Sequence, residues 1–148
     1  MSEGKHQKSS SEPEVLEIPV PLFGMFLEIW LGDSKDIAKW AKEEFGADVS
    51  DLEQDELDAD GLTIDLGQGG ADGYIIVYLK DFKERLRKDM KHAVGTLAHE
   101  CLHATKSVLE SRGVPFTPEN EELIAYLQED MIENVLAKLR KRRMKDAE

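Results

Sequence analysis

From Lys80 almost to its end the sequence keeps helical periodicity, and this limits the possible folds more than any other feature. Ala93, Val94, Leu97, Leu102, Val108 and Leu109 recur at helical spacing as far as Gly113. Gly113-Val-Pro115-Phe-Thr-Pro118 then imposes a turn, with Thr117 at an N-cap position and Pro118 at the first helical position. A last helix is expected from about Glu119 to about Arg140, ending in the basic run LRKRRMK. The short turn sends this helix back along the one before it. Any sheet must therefore come from the residues before Lys80.

Those residues divide sharply by composition. Residues 1–14, rich in Ser, Glu and Lys, have little to bury and are expected to form a disordered tail. The folded domain is expected over residues 15–142, with 143–148 as a C-terminal tail. Phe23 to Leu31 is apolar enough for a buried strand, its beginning broken by Pro19, Pro21 and Gly24. Asp33 or Ser34 can cap a helix over SKDIAKWAKEEF, with Ile37, Trp40, Ala41 and Phe45 on one face and Gly46 as its stop. An acidic loop follows, and its end, DADG at 58–61, reads as a turn entering a strand. An EF-hand in that register would place Gly67 at its twelfth position, where calcium needs a glutamate. LTIDL at 62–66 and YIIVYL at 74–79 form a hairpin across GQGGADG. The second strand is almost continuously apolar, so it is expected to be central or buried on both faces. The order β-α-β-β-α-α describes an α+β domain.

A chain of 148 residues has room for one such domain. Its net charge of −12 excludes a general nucleic-acid binder, which needs clustered Lys and Arg against phosphate. Cys101 is the only cysteine, so no internal disulfide can form and a reducing compartment is expected. The first residues lack the apolar stretch of a secretory signal, and no run approaches the roughly 18 apolar residues of a membrane span. A cytoplasmic protein without a membrane partner is expected; the oligomeric state is not legible.

The chemistry concentrates in His99-Glu100-Cys101-Leu102-His103. Two histidines four apart on a helix are neighbours on one face and can share one tetrahedral Zn²⁺. Glu100, one step around, can take a proton from a zinc-bound water that attacks a polarised carbonyl. Gly95, Ala98, Leu102 and Ala104 make the surroundings too apolar for an ordinary exposed face. A catalytic zinc needs a third protein ligand, and the turn at Pro115–Pro118 brings the next helix back with Glu119, Glu121 and Glu122 in its first turns. Glu119 is already explained by the helix dipole, and Glu121 points away from a core face made by Leu123, Ile124 and Leu127. Glu122 is the expected ligand. Tyr126, one turn on, is placed to donate to a developing oxyanion, although ordinary packing with a surface hydroxyl explains it equally well. His92 is too far along the helix to share the metal, a rise of about 10 Å, and reads as structural. Cys101 points to the opposite side as a small buried thiol.

HECLH followed by a helix with a ligand glutamate resembles the gluzincin branch of zinc peptidases. More closely, AHECLHA with ENEELIAYL about twenty residues later looks like small metallopeptidase-like proteins of tailed phages and prophages. The likeness spans roughly residues 90–135. In those proteins the ligand glutamate stands three residues before an Ala-Tyr pair, here Ala125-Tyr126, which again indicates Glu122. The resemblance implies a minimal zincin-like domain: a small sheet, an HExxH helix, and a following helix carrying the third ligand. It also implies hydrolysis of a peptide or protein substrate, in the host cytoplasm if the protein is phage-encoded. Better-known gluzincins often carry an acidic residue four positions after the ligand glutamate; here that position is Tyr126, and Asp130 is the nearest substitute for orienting a histidine. The strand YIIVYL is expected at the cleft, where an open edge would pair with an extended substrate. Two rivals keep less of this chemistry: a zinc-stabilised binding or regulatory module without catalysis, and a metal-free helical interaction protein of phage origin.

Overall fold

The structure, a computed structural model, describes residues 14–32, 39, 43, 60–65 and 75–147, without the side chains at 143 and 145–147. Among these residues it is an α+β fold with a four-stranded mixed sheet and three helices. Strands β1 (Glu14–Val20) and β2 (Met25–Gly32) form an antiparallel hairpin whose turn holds Leu22 at φ 75° and Gly24 at φ 61°. Strands β3 (Gly61–Asp65) and β4 (Ile75–Lys80) are also antiparallel, while β2 and β4 run parallel. The order across the sheet is β1-β2-β4-β3.

Alternation along the strands creates two apolar faces. Leu16 and Ile18 of β1, Leu27 and Ile29 of β2 and Val77 and Leu79 of β4 are fully buried on the face that meets the helices. Trp30, Ile76 and Tyr78 are buried on the opposite face. Burial on both faces is why YIIVYL reads as an unbroken apolar run, and β4 is central as that pattern requires.

The helices follow without interruption. Asp81 turns the chain at φ 46°, its N–H donating to the Gly32 carbonyl, and α1 (Phe82–Lys88) begins. Asp89 breaks the helical run, and its carboxylate accepts from the His92 N–H to cap α2 (Met90–Ser111). A 3₁₀ turn at Pro118–Asn120 leads into α3 (Glu121–Ala147). Ala93, Leu97, Cys101, Ala104 and Val108 of α2 recur every three or four residues and pack against the sheet and against Leu127, Met131 and Val135 of α3.

Several expectations are corrected. The segment from Val15 to Leu31 holds two strands rather than one, and Pro19 lies inside the first. A proline is tolerated there because β1 is an edge strand and the missing N–H interrupts no central ladder. Glu14 opens β1 instead of ending a tail: its carboxylate meets Lys83 at 2.9 Å and Arg142 at 2.8 Å, tying β1 to α1 and α3. Partial burial works to raise the Glu14 carboxyl pKa, but the hydrogen bonds and charges of Lys83 and Arg142 outweigh it and hold it below the usual range. The helix after Lys80 is two helices, and the last helix continues to Ala147, beyond the expected end near Arg140. Residues 1–13 and 47–59 lie outside the described residues, as does the helix expected over 34–45 apart from Lys39 and Glu43, both helical and exposed.

Candidate functional site

α2 buries one stripe and leaves His99, Leu102, His103 and Lys106 exposed on the other. Helical spacing sets His99 and His103 one turn apart, with ring centroids 4.8 Å from each other and planes inclined by 69°. Their Nε2 atoms face each other at 3.2 Å. One nitrogen can donate to the other, or both lone pairs can aim at a shared cation. A tetrahedral ion with Zn–N bonds of 2.0–2.1 Å holds two imidazole nitrogens about 3.3 Å apart, so the pair already has the spacing of two zinc ligands.

Glu100 is the exception to the pattern of α2. It is a carboxylate only 6% exposed, placed where an apolar residue would ordinarily pack. Its partner comes from the sheet. The Thr63 hydroxyl donates to Glu100 Oε1 at 2.8 Å and lies 3.2 Å from the Glu100 carbonyl oxygen. The other carboxylate oxygen, Oε2, is 4.0 Å from His99 Nε2. One oxygen is therefore pinned and the other lies on the His99 side.

The register of β3 explains this contact. Gly61 pairs with Leu79 and Thr63 with Val77, so both lie on the helix-facing side of the sheet, whereas Leu62 and Ile64 face the other way. Gly61 lets the strand approach closely: a Cβ there would stand 2.8 Å from Glu100 Cγ and 3.0 Å from Thr96 Cγ2. The sequence does not single out Gly61 or Thr63, because nothing local in LTIDL says which face of the strand meets the helix. The available signal was a glycine two residues before that threonine, and so on the same face, at the start of a strand.

Two predictions follow from this contact. Thr63→Val removes the hydroxyl while keeping the shape, and should destabilise the fold by about 1–3 kcal/mol because a buried carboxylate oxygen loses its donor. Thr63→Ser should recover most of that loss, and Gly61→Ala should cost a similar amount by driving a methyl into Glu100. Urea unfolding of the three variants checks both; a neutral Thr63→Val would mean that the hydrogen bond does not hold Glu100.

The site lies in a groove between α2 and β3, the edge strand among the described residues. One cavity of about 490 Å³ is lined by Gly61, Thr63, His99, Glu100, His103 and Lys106. A second, about 450 Å³, continues past Gly95 to Asp60, Lys91 and His92. The edge beside the site belongs to β3, not to the strand YIIVYL, which is paired on both sides. At the far end, Asp60 Oδ2 lies 3.0 Å from both His92 Nε2 and Arg85 Nη2. The hydrogen bond to His92, with the charge of Arg85, holds the Asp60 carboxyl below its usual range. His92 thus closes the mouth of β3 onto α2, in keeping with a structural role.

The remaining residues are placed as follows. Glu122 is exposed in the first turn of α3, and Tyr126, 49% exposed, is one turn further on. His99 and His103 face each other and Glu100 lies beside His99, but among the described residues no group of three His, Cys, Asp or Glu side chains is gathered that could hold a metal, and Glu122 does not complete one. Thr117 and the local backbone hold the Glu119 carboxyl below its usual range, and Asp130 accepts from Asn134 within α3 rather than orienting a histidine. Gln128 of α3 donates to the Ala98 carbonyl at 2.9 Å, fixing the backbone next to His99. Burial, reinforced by the Glu100 charge, pushes the Cys101 thiol up to about 12, and the side chain packs fully buried in the core. No helix of the described residues is long and apolar enough to cross a membrane. Compared with family models, curated proteins and solved structures, the chain finds no match.

Proposed function

We propose that this protein is a zinc-dependent metallopeptidase with a minimal zincin-like domain. The observation that carries the reading is the pair of facing Nε2 atoms, 3.2 Å apart, beside a buried glutamate whose second oxygen is 4.0 Å from His99 Nε2. His99 and His103 would hold the ion, with Glu122 assigned as third ligand from α3. Bound zinc supplies a Lewis acid that polarises a carbonyl and makes water a nucleophile near neutral pH.

The protein's own groups do the rest. Glu100 accepts the proton of the attacking water on Oε2, because Oε1 is occupied by Thr63. It then returns that proton to the leaving amine. Thr63 and Gly61 keep the carboxylate in one orientation, so no reorganisation is needed at the moment of transfer. Tyr126 is assigned as donor to the oxyanion. β3, the edge strand among the described residues, borders the groove and would offer its backbone to an extended peptide. Keeping Glu100 dry costs desolvation energy that a purely structural ion would not require, which favours catalysis over a zinc-stabilised binding module.

Zinc titration tests the reading. The purified protein should bind about one equivalent of zinc and hydrolyse a quenched-fluorescence peptide mixture. Dipicolinate should remove both properties, and added zinc should restore them. A fully folded protein that takes up no zinc would end the proposal.

A further inference from the structure

Gly95 lies in the second turn of α2, one turn before His99 and on the same face. A glycine there destabilises a helix relative to alanine, so it calls for a reason. Among the described residues packing gives none, because a Cβ at this position meets nothing within 4 Å of them, and its backbone is helical. This distinguishes it from Gly61, where a Cβ would strike Glu100. What Gly95 leaves open is the floor of the cavity of about 450 Å³ that meets the site at Gly61, His99 and Glu100.

The rim of this cavity has a definite charge. The Asp60 carboxylate is taken by Arg85 and His92. Lys91 lines the same cavity and forms no ion pair among the described residues. Among the described residues, a side chain entering over Gly95 therefore meets space first and the Lys91 ammonium at the end.

We infer that the groove over Gly95 is a specificity subsite for a long acidic substrate side chain, admitted by Gly95 and drawn by Lys91. The inference rests on the peptidase reading: the scissile bond lies at His99 and Glu100, and the neighbouring substrate residue reaches toward Gly95. Glutamate, with three rotatable bonds and a terminal carboxylate, has the length and charge to span from the backbone to Lys91.

The test combines stability with cleavage profiling. Zinc-loaded parent, Gly95→Ala, Gly95→Leu and Lys91→Glu are each incubated with a diverse peptide library, and cleavage sites are read by mass spectrometry. Gly95→Ala should raise the Tm by about 2–4 °C, since it relieves helix entropy without a clash. Gly95→Leu should bind zinc like the parent yet lose cleavage at glutamate sites by about tenfold or more, with Gly and Ala taking over at that one position. Lys91→Glu should reverse the preference to Lys and Arg there. An unchanged profile in Gly95→Leu overturns the subsite, and a lowered Tm in Gly95→Ala overturns the premise that the glycine is not required for folding. A zinc-loaded parent that cleaves nothing overturns the peptidase reading instead.

Discussion

Glu100→Gln is expected to keep its fold and its zinc while losing hydrolysis by about 10²–10⁴-fold. The substitution preserves shape, and the Thr63 hydroxyl can still donate to the amide oxygen as it does to Oε1. What disappears is the ability of the second oxygen, 4.0 Å from His99 Nε2, to accept a proton. The metal ligands are untouched, so zinc content should stay near one equivalent. Stability should not fall, because the variant removes a charge from a position only 6% exposed. Circular dichroism, zinc analysis and peptide hydrolysis on one preparation separate these effects. Equal hydrolysis by parent and variant would assign the activity to another site or to a contaminant.

Replacing either histidine should have the opposite signature. His103→Ala should weaken zinc binding by more than the about 10–100-fold typical of groups that merely support a ligand, because one of two converging nitrogens is removed. The zinc-free protein should unfold as the parent does, since His103 is exposed and makes no contact in the core. Competition titration against a chromogenic chelator measures the loss. Glu122→Ala, Glu119→Ala and Glu121→Ala belong in the same experiment, and Glu122→Ala is expected to be the weakest binder of the three. Glu119 is already held by Thr117 and the local backbone, which lowers its claim. Glu119→Ala as the weakest binder would shift the ligand by one helical turn. Three variants that bind like the parent would leave the third ligand to be sought outside α3, first in the acidic segment between Asp48 and Asp60.

Local order was readable from the sequence, and contacts between distant segments were not. The His99–His103 pair, the burial of Cys101 and the antiparallel pairing of β3 with β4 follow from spacings of two to four residues or from a short glycine-rich connecting sequence. The central place of β4 was also legible, because a strand buried on both faces must be apolar at every position.

The tertiary structure alone decided how Glu100 is used. Its partner Thr63 is 37 residues away, and the bond exists because β3 pairs with Val77 and Leu79 in a register that turns Gly61 and Thr63 toward α2. A one-residue shift would have presented Leu62 and Ile64 instead. The pairing of Asp60 with His92 and Arg85, the parallel contact of β2 with β4, and the edge position of β3 are likewise long-range choices. Periodicity shows which face of an element is apolar, but the element opposite that face is set by global packing. The sequence by itself thus determined that two imidazoles would share one face of a helix. Only the packing of β3 onto that helix decided that a buried, oriented carboxylate would stand beside them.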